Sequence, residues 1–247
     1  MLSIITVTFQ DYRGLEATLK SVRDSISNLG NFEIIVVDGD PQTNFDYQSF
    51  QDLPIKTIIG KDRGVYDAMN IGVSAASGRY LWFLNGGDTL SYFEGASTIN
   101  DSNATLLLGG YTRGDKRFLV PNERQFRNRC RSGRMPHSHQ AILFLAEALE
   151  PAPYSLSLKI SSDYKLILAL AADEAHSIET CAFEVHCEAP GLSGDNFLTG
   201  LLERTQIRTA TYGFSILFFV GLFWRAVRHV MGRNAVWPHL SFSSHDS

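Results

Sequence analysis

Cysteine is scarce in this 247-residue sequence: Cys130, Cys181 and Cys187 are an odd number, and no two form a C-x-x-C pair. That set encodes neither a disulfide framework nor a zinc module, and the thiols are expected to be buried. No secretory leader pattern precedes the first apolar run, so a reduced, cytosolic setting is expected. There is no basic excess either. A net charge of -4 and a pI of about 6.0 exclude a general nucleic-acid binder, and no nucleic-acid partner is expected. The chain lacks internal repeats and low-complexity tracts. It also lacks a glycine-rich, lysine-bearing loop after its first strand, which argues against a nucleotidyltransferase that grips a triphosphate.

What is present reads as alternating strand and helix. Met1 to Phe9 is a β-branched run, a helix to about Leu29 carries Leu15, Leu19, Val22 and Ile26 on one face, and Phe32 to Val37 is a second strand. That βαβ unit ends its second strand in Asp38-Gly39-Asp40. Open α/β sheets collect ligands at the carboxyl ends of their strands, so a nucleotide over these ends is the natural expectation.

The stretch from Lys61 to Asp88, KDRGVYDAMNIGVSAASGRYLWFLNGGD, organises the rest. Val65, Ala68, Met69, Gly72, Val73 and Ala76 recur at helical spacing, with Tyr66, Asp67, Asn70 and Ser74 on the other side. Tyr80 to Leu84 then reads as a strand buried on both faces, running into Asn85-Gly86-Gly87-Asp88. A carboxylate after glycines, at a strand's carboxyl end, suits a divalent cation and a diphosphate.

These residues resemble family 2 glycosyltransferases of the GT-A fold, among them colanic-acid-type enzymes of bacterial polysaccharide biosynthesis. The family pattern is roughly E-x-D-x-G-[IV]-Y-D-A-M-N-x-G-[IV] followed by A-x-G-x-x-[ILV]-x-F-L-N-[SG]-x-D, and the sequence offers KDRGVYDAMNIGV and AASGRYLWFLNGGD. The resemblance implies an α/β fold, a Rossmann-like mixed sheet flanked by helices. It implies a donor site for a nucleotide sugar formed by Thr8, Asp38, Asp62, Tyr66, Asp67, Asn70 and Asn85. Asp40 and Pro41 depart from the family's turn after Asp38. Asp88 is placed as the ligand of Mn²⁺ or Mg²⁺, although Asn85 or Gly86 stands where many relatives carry a first acid. Ser161-Ser162-Asp163-Tyr164 matches the segment that supplies the catalytic base, making Asp163 that base, and Pro136-His137-Ser138-His139-Gln140 places His139 and Gln140 in the donor or acceptor pocket.

The remaining segments are read from composition. Arg124 to Arg134, with Arg127, Arg129, Arg131 and Arg134, is expected as a basic loop, and Asp195 to Arg208 as a helix. Pro190 to Gly194 resembles the family's G-G-x-S loop. Tyr212 to Trp224 is nearly all apolar, but about thirteen residues at 1.5 Å each give roughly 20 Å, short of the roughly 30 Å of a bilayer core. With Arg204, Arg208, Arg225, Arg228 and Arg233 against Glu203, a local charge of about +4, this end suits a membrane interface.

The organisation expected is a GT-A domain over 1–200, a helical, membrane-associating tail over 201–236 and a flexible end over 237–247. The function implied is inverting transfer of a sugar from a nucleotide sugar to a hydroxyl of a lipid-linked or oligosaccharide acceptor. It would serve cell-surface polysaccharide or lipopolysaccharide assembly on the inner face of the cell membrane. The competing reading is a nucleotide-sugar-binding protein with impaired catalysis, suggested by the missing first acid.

Overall fold

The computed structural model describes residues 1–188, 197–216 and 218–221. Met1–Tyr212 forms one compact unit, and a second begins at Gly213.

The β-branched first segment folds as β1 (Leu2–Thr8), buried along its whole length. It pairs in parallel with β2 (Phe32–Asp38) on one side and β4 (Tyr80–Phe83) on the other, and β3 (Ile55–Ile59) extends the parallel half beyond β2. Beyond β4 the sheet becomes mixed. The strands β5 (Thr89–Phe93), β6 (Leu106–Arg113), β7 (Lys116–Phe118), β8 (Ile142–Leu145) and β9 (Ile178–His186) complete the order β3-β2-β1-β4-β8-β6-β9-β5, with β7 on β6. The α/β fold with a mixed sheet flanked by helices is therefore as expected.

Period-two alternation divides the core between the two faces. Leu2, Ile4, Ile34, Val36, Tyr80 and Trp82 point toward α1 (Tyr12–Asp24), which contributes Leu15, Leu19 and Val22. Ile5, Val7, Ile35, Val37, Leu81 and Phe83 point toward α3 (Val65–Ala75), which contributes Ala68 and Met69. Burial of each such aliphatic side chain contributes about 1.5–3 kcal/mol, which is what clamps the helices to the sheet. Gly72 and Gly78 permit close approach to β1. An added Cβ would lie 2.4 Å from Ile5 Cγ2 at position 72 and 2.5 Å from Ser3 Oγ at position 78.

Two local expectations need correction. The first helix stops at Asp24, where Ser25 donates its N–H back to the last turn, and a separate short α2 (Ile26–Leu29) follows. After β5 and a short α4 (Ala96–Asp101), the arginine-rich stretch is not a loop but α5 (Glu123–Arg131). It is opened by a capping box between Asn122 and Gln125 and anchored by buried Phe126 and Cys130 at i, i+4 spacing. Its arginines close other elements: Arg127 donates to the carbonyls of Ala171, Asp173 and His176, at the end of α6 (Ser162–Ala172), and Arg129 to that of Pro136. Near the end of the first compact unit lies α7 (Phe197–Tyr212). Arg208 is buried there, its Nε 2.9 Å from the Arg131 carbonyl, and does not add to a surface charge.

In the second unit, Phe214, Ile216 and Val220 are exposed. Among the described residues no helix is long and apolar enough to cross a membrane. The Arg225 to Arg233 face, the Pro190 to Gly194 loop and the 237–247 end lie outside the described residues.

Candidate functional site

A cavity of about 710 Å³ opens at the carboxyl ends of β1 and β4, and both Asp88 and Asp163 line it. The two carboxylates arrive from different directions. Asp88 ends the loop after β4, whose turn is closed by a hydrogen bond from its N–H to the Asn85 carbonyl (3.0 Å), with Thr18 Oγ1 holding the Asp88 carbonyl (2.7 Å). Asp163 sits in the first turn of α6.

Around Asp88 the side chains are held in order. Trp82 Nε1 donates to the Gln140 carbonyl (2.6 Å), and Ser138 Oγ donates to the Gln140 side-chain oxygen (2.8 Å), which turns the Gln140 amide to donate to Asp88. The Glu188 N–H donates to Asp88 Oδ1 (3.0 Å). Burial outweighs these bonds and the pull of Arg113, pushing the Asp88 carboxyl up to about 6. The Glu188 side chain lies over Gly87, where an added Cβ would come within 2.3 Å of Glu188 Oε2. Gly87 also has φ 96°, so glycine is required there twice over.

Asp163 is part of a chain of aromatic and polar contacts. Its Oδ1 accepts from the Tyr164 N–H (2.7 Å) and, at 3.4 Å, from the Tyr66 hydroxyl, which itself accepts from the Ser162 N–H (3.2 Å). Tyr66 stacks on Tyr154, with centroids 5.8 Å apart, and the Tyr154 hydroxyl bonds to His139 Nε2 at 2.7 Å. Burial drives His139 down to about 3, so it is neutral and not a cationic ligand for phosphate. The helix N-terminus would by itself favour an ionised Asp163 of low basicity. Instead, crowding by protein prevails and pushes Asp163 up to about 6.

The other expected site residues divide in two. Tyr66, Asn85, His139 and Gln140 line the cavity together with Asp88 and Asp163. Asp38 and Asp62 mark the neighbouring strand ends: Asp38 is fully buried and accepts from Tyr47 Oη (3.1 Å) and the Asp40 N–H (3.1 Å). An added Cβ at Gly39 would lie 2.4 Å from Asp62 Oδ2, which places the two acids on one ledge. Thr8 ends β1 next to Gly86. Asp67 and Asn70 are committed elsewhere. Asp67 receives a bidentate Arg63 guanidinium (2.8 and 3.1 Å), and the Asn70 amide clamps the Tyr154 backbone through two bonds (2.8 and 2.9 Å). Neither lines the cavity.

Tyr154, Lys159, Glu188, Glu203 and Arg204 were not foreseen from sequence. All but Tyr154 and Glu203 line the cavity directly, and no motif surrounds any of them. Gln10 was missed too. Among the described residues it is the one non-glycine residue with positive φ, 57°, in the loop beside Asp40.

Asn85 Oδ1 is buried and has no hydrogen-bond partner among the described residues. An orphaned neutral oxygen beside two carboxylates fits a hard, oxygen-preferring cation. Among the described residues no group of three or more His, Cys, Asp or Glu gathers into a full cage.

Comparison with known proteins bears on the family and the fold. The family model described as Glycosyl transferase family 2 matches residues 3–91. An uncharacterized glycosyltransferase of Mycobacterium tuberculosis is 39% identical over 190 residues, which cover 69% of this chain and 68% of that protein. A PGL/p-HBAD biosynthesis glycosyltransferase of Mycobacterium bovis is 38% identical over 97 residues, 36% of each chain. Among solved structures, S. aureus TarS in complex with UDP superposes with a TM-score of 0.62 at 15% identity, covering 94% of this chain and 72% of TarS. The mannosyltransferase PcManGT from Pyrobaculum calidifontis, in complex with GDP-Man and Mn²⁺, gives a TM-score of 0.55 at 15% identity, covering 91% and 68%. At such identities the two structures establish a shared fold.

Proposed function

The chain belongs to glycosyltransferase family 2 and is a transferase, and from that premise we propose that it moves a sugar, with inversion, from a nucleotide-sugar donor to a hydroxyl of a lipid-linked saccharide. The observation that carries this reading is the opening of Asp88 and Asp163 onto one cavity. Asp163, pushed up to about 6, is ionised at neutral pH yet more basic than an ordinary aspartate, as a general base for an alcohol requires. It takes the acceptor proton while the acceptor oxygen bonds to the anomeric carbon. The bond from that carbon to the donor phosphate oxygen breaks, and the nucleoside diphosphate leaves with the electron pair. Single displacement of this kind inverts the anomeric centre.

Asp88, Glu188 and the Asn85 oxygen are the groups that would hold Mn²⁺ or Mg²⁺. When bound, such a cation supplies charge neutralisation on the departing diphosphate. Glu188 counts against the rival reading of a binding protein without catalysis, since its side chain over Gly87 puts a second acid near Asp88. Asp38, Asp62 and Thr8, at the ends of β1 to β3, are the groups for the nucleoside. UDP in TarS and GDP-Man in PcManGT are donors or donor fragments of the kind this ledge would take.

Assembly of a cell-surface glycan is supported by the family and by the PGL/p-HBAD biosynthesis relative. The exposed Phe214, Ile216 and Val220 support contact with the inner face of a membrane. Truncation after Tyr212 is expected to abolish sedimentation with anionic vesicles. Retained sedimentation would refute the membrane role of the tail. The reaction itself is tested by NMR of the product made with a panel of nucleotide sugars and lipid-linked acceptors: an anomeric configuration opposite to the donor's is expected, and retention would refute the mechanism.

A further inference from the structure

The cavity has two cationic ends. Arg113 bears on Asp88 and Cys187, whereas Arg204, from α7, bears on Asp163 and Tyr164. Arg204 folds back over Gly200, where an added Cβ would lie 3.1 Å from its Nη1 and 3.2 Å from Ile160 Cγ2. Its guanidinium is only partly accessible and lines the cavity, yet among the described residues it makes neither a hydrogen bond nor an ion pair.

The nearest acid in sequence is already engaged. Glu203 is buried and accepts from the N–H groups of Lys159 (2.7 Å), Ile160 (3.0 Å) and Ser161 (2.9 Å). That pins the loop which carries Lys159 to the cavity wall, and the Lys159 ammonium has no partner among the described residues either. A guanidinium offers five donors and no acceptor, and withdrawing it from water without an anion is costly. Desolvation indeed lowers the Arg204 pKa. Arg204 feels the charges of Asp163 and Glu203 without pairing to either, and with Lys159 on the same wall the two cations are placed to take an anionic ligand.

Resting on the reading above, which assigns the donor diphosphate to the Asp88 end, we propose that Lys159 and Arg204 bind a phosphate of the acceptor. The acceptor is then a saccharide joined to its lipid through phosphate, and its anion is seated beside Asp163, the base that must reach its hydroxyl. Arginine presents a fork to two phosphate oxygens, and lysine adds a point charge that follows the ligand in from solvent.

The test uses the full chain saturated with Mn²⁺ and with UDP or GDP, whichever binds, and calorimetry with farnesyl phosphate as the acceptor probe. Wild type is expected to bind farnesyl phosphate at least about tenfold more tightly than farnesol. Arg204→Gln and Lys159→Gln should each weaken farnesyl phosphate by about tenfold or more, with nucleoside diphosphate affinity unchanged within about twofold. Arg204→Lys should recover part of the loss. Equal binding of farnesol would overturn the phosphate assignment. Weakened nucleoside diphosphate binding with farnesyl phosphate unaffected would overturn it in favour of the donor. Lys159 is exposed, so its variant decides between these outcomes if the Arg204 variants melt early. Failure here would leave the product-configuration test untouched, because that experiment depends on Asp163 and not on these cations.

Discussion

Replacing Asp163 by Asn should make the protein both inactive and more stable. Burial lifts this carboxyl from the ordinary aspartate range to about 6, so the folded state holds the proton more tightly than the unfolded chain does. Because the folded pKa is the higher one, the protonated group stabilises the fold in acid, and that contribution is lost as pH rises from about 4 through about 6. At pH 7.5 the ionised carboxylate therefore burdens the fold. Two pKa units correspond to about 3 kcal/mol as a ceiling, and since the group opens on the cavity about half of that is the more realistic figure. Asparagine removes the charge, and its oxygen still accepts from the Tyr164 N–H and the Tyr66 hydroxyl. For a unit of this size each kcal/mol moves the melting temperature by about 2–4 °C, so a gain of roughly 3–6 °C is expected at pH 7.5, shrinking toward zero near pH 4. Loss of the base should lower kcat by about 10²–10⁴-fold. Thermal melts at the two pH values, paired with a transfer assay, give the answer. A variant that keeps its turnover, or that melts lower at pH 7.5 than wild type, would overturn this account of Asp163.

Asp88 has the same sign with a different readout: its carboxyl, near 6, must lose its proton to hold a cation, so Mn²⁺ affinity should be steady above pH 7 and fall toward tenfold per unit below pH 6, measured by calorimetry. Gly87→Ala forces a side chain into φ 96° and onto the Glu188 carboxylate, and should weaken Mn²⁺ binding by about tenfold or more while leaving the β4 core intact; unchanged affinity would remove Glu188 from the cation site. Glu203→Ala strips the acceptor from three N–H groups before α6, at about 1 kcal/mol or more for each, so the melting temperature should drop by roughly 6–12 °C, with Glu203→Gln falling less far.

The fold was legible where periodicity is unambiguous. Alternating burial in β1, β2 and β4 and the i, i+3, i+4 rows of α1 and α3 are direct consequences of backbone geometry, and the expected elements lie within a few residues of the observed ones. Legibility failed where charge disguised the pattern. In α5 the buried pair Phe126 and Cys130 is surrounded by arginines, whose chains reach carbonyls on α6 and in the loop before β8 that only tertiary structure brings near.

The two halves of the site differ in the same way. Asp38, Asn85 and Asp88 follow their own strands, so local sequence places them at strand ends. The opposite members of the site are fixed by long-range closure. Glu188 meets Asp88 because β9 runs antiparallel to β5, pairing His186 with Thr89, and Arg204 comes to the Asp163 side of the cavity because Glu203, its neighbour on α7, fastens that helix to the loop before α6. A helix read from composition as the start of a tail thereby packs within the first compact unit. Its buried glutamate accepts three N–H bonds, and the arginine next to that glutamate is held at the cavity as a consequence.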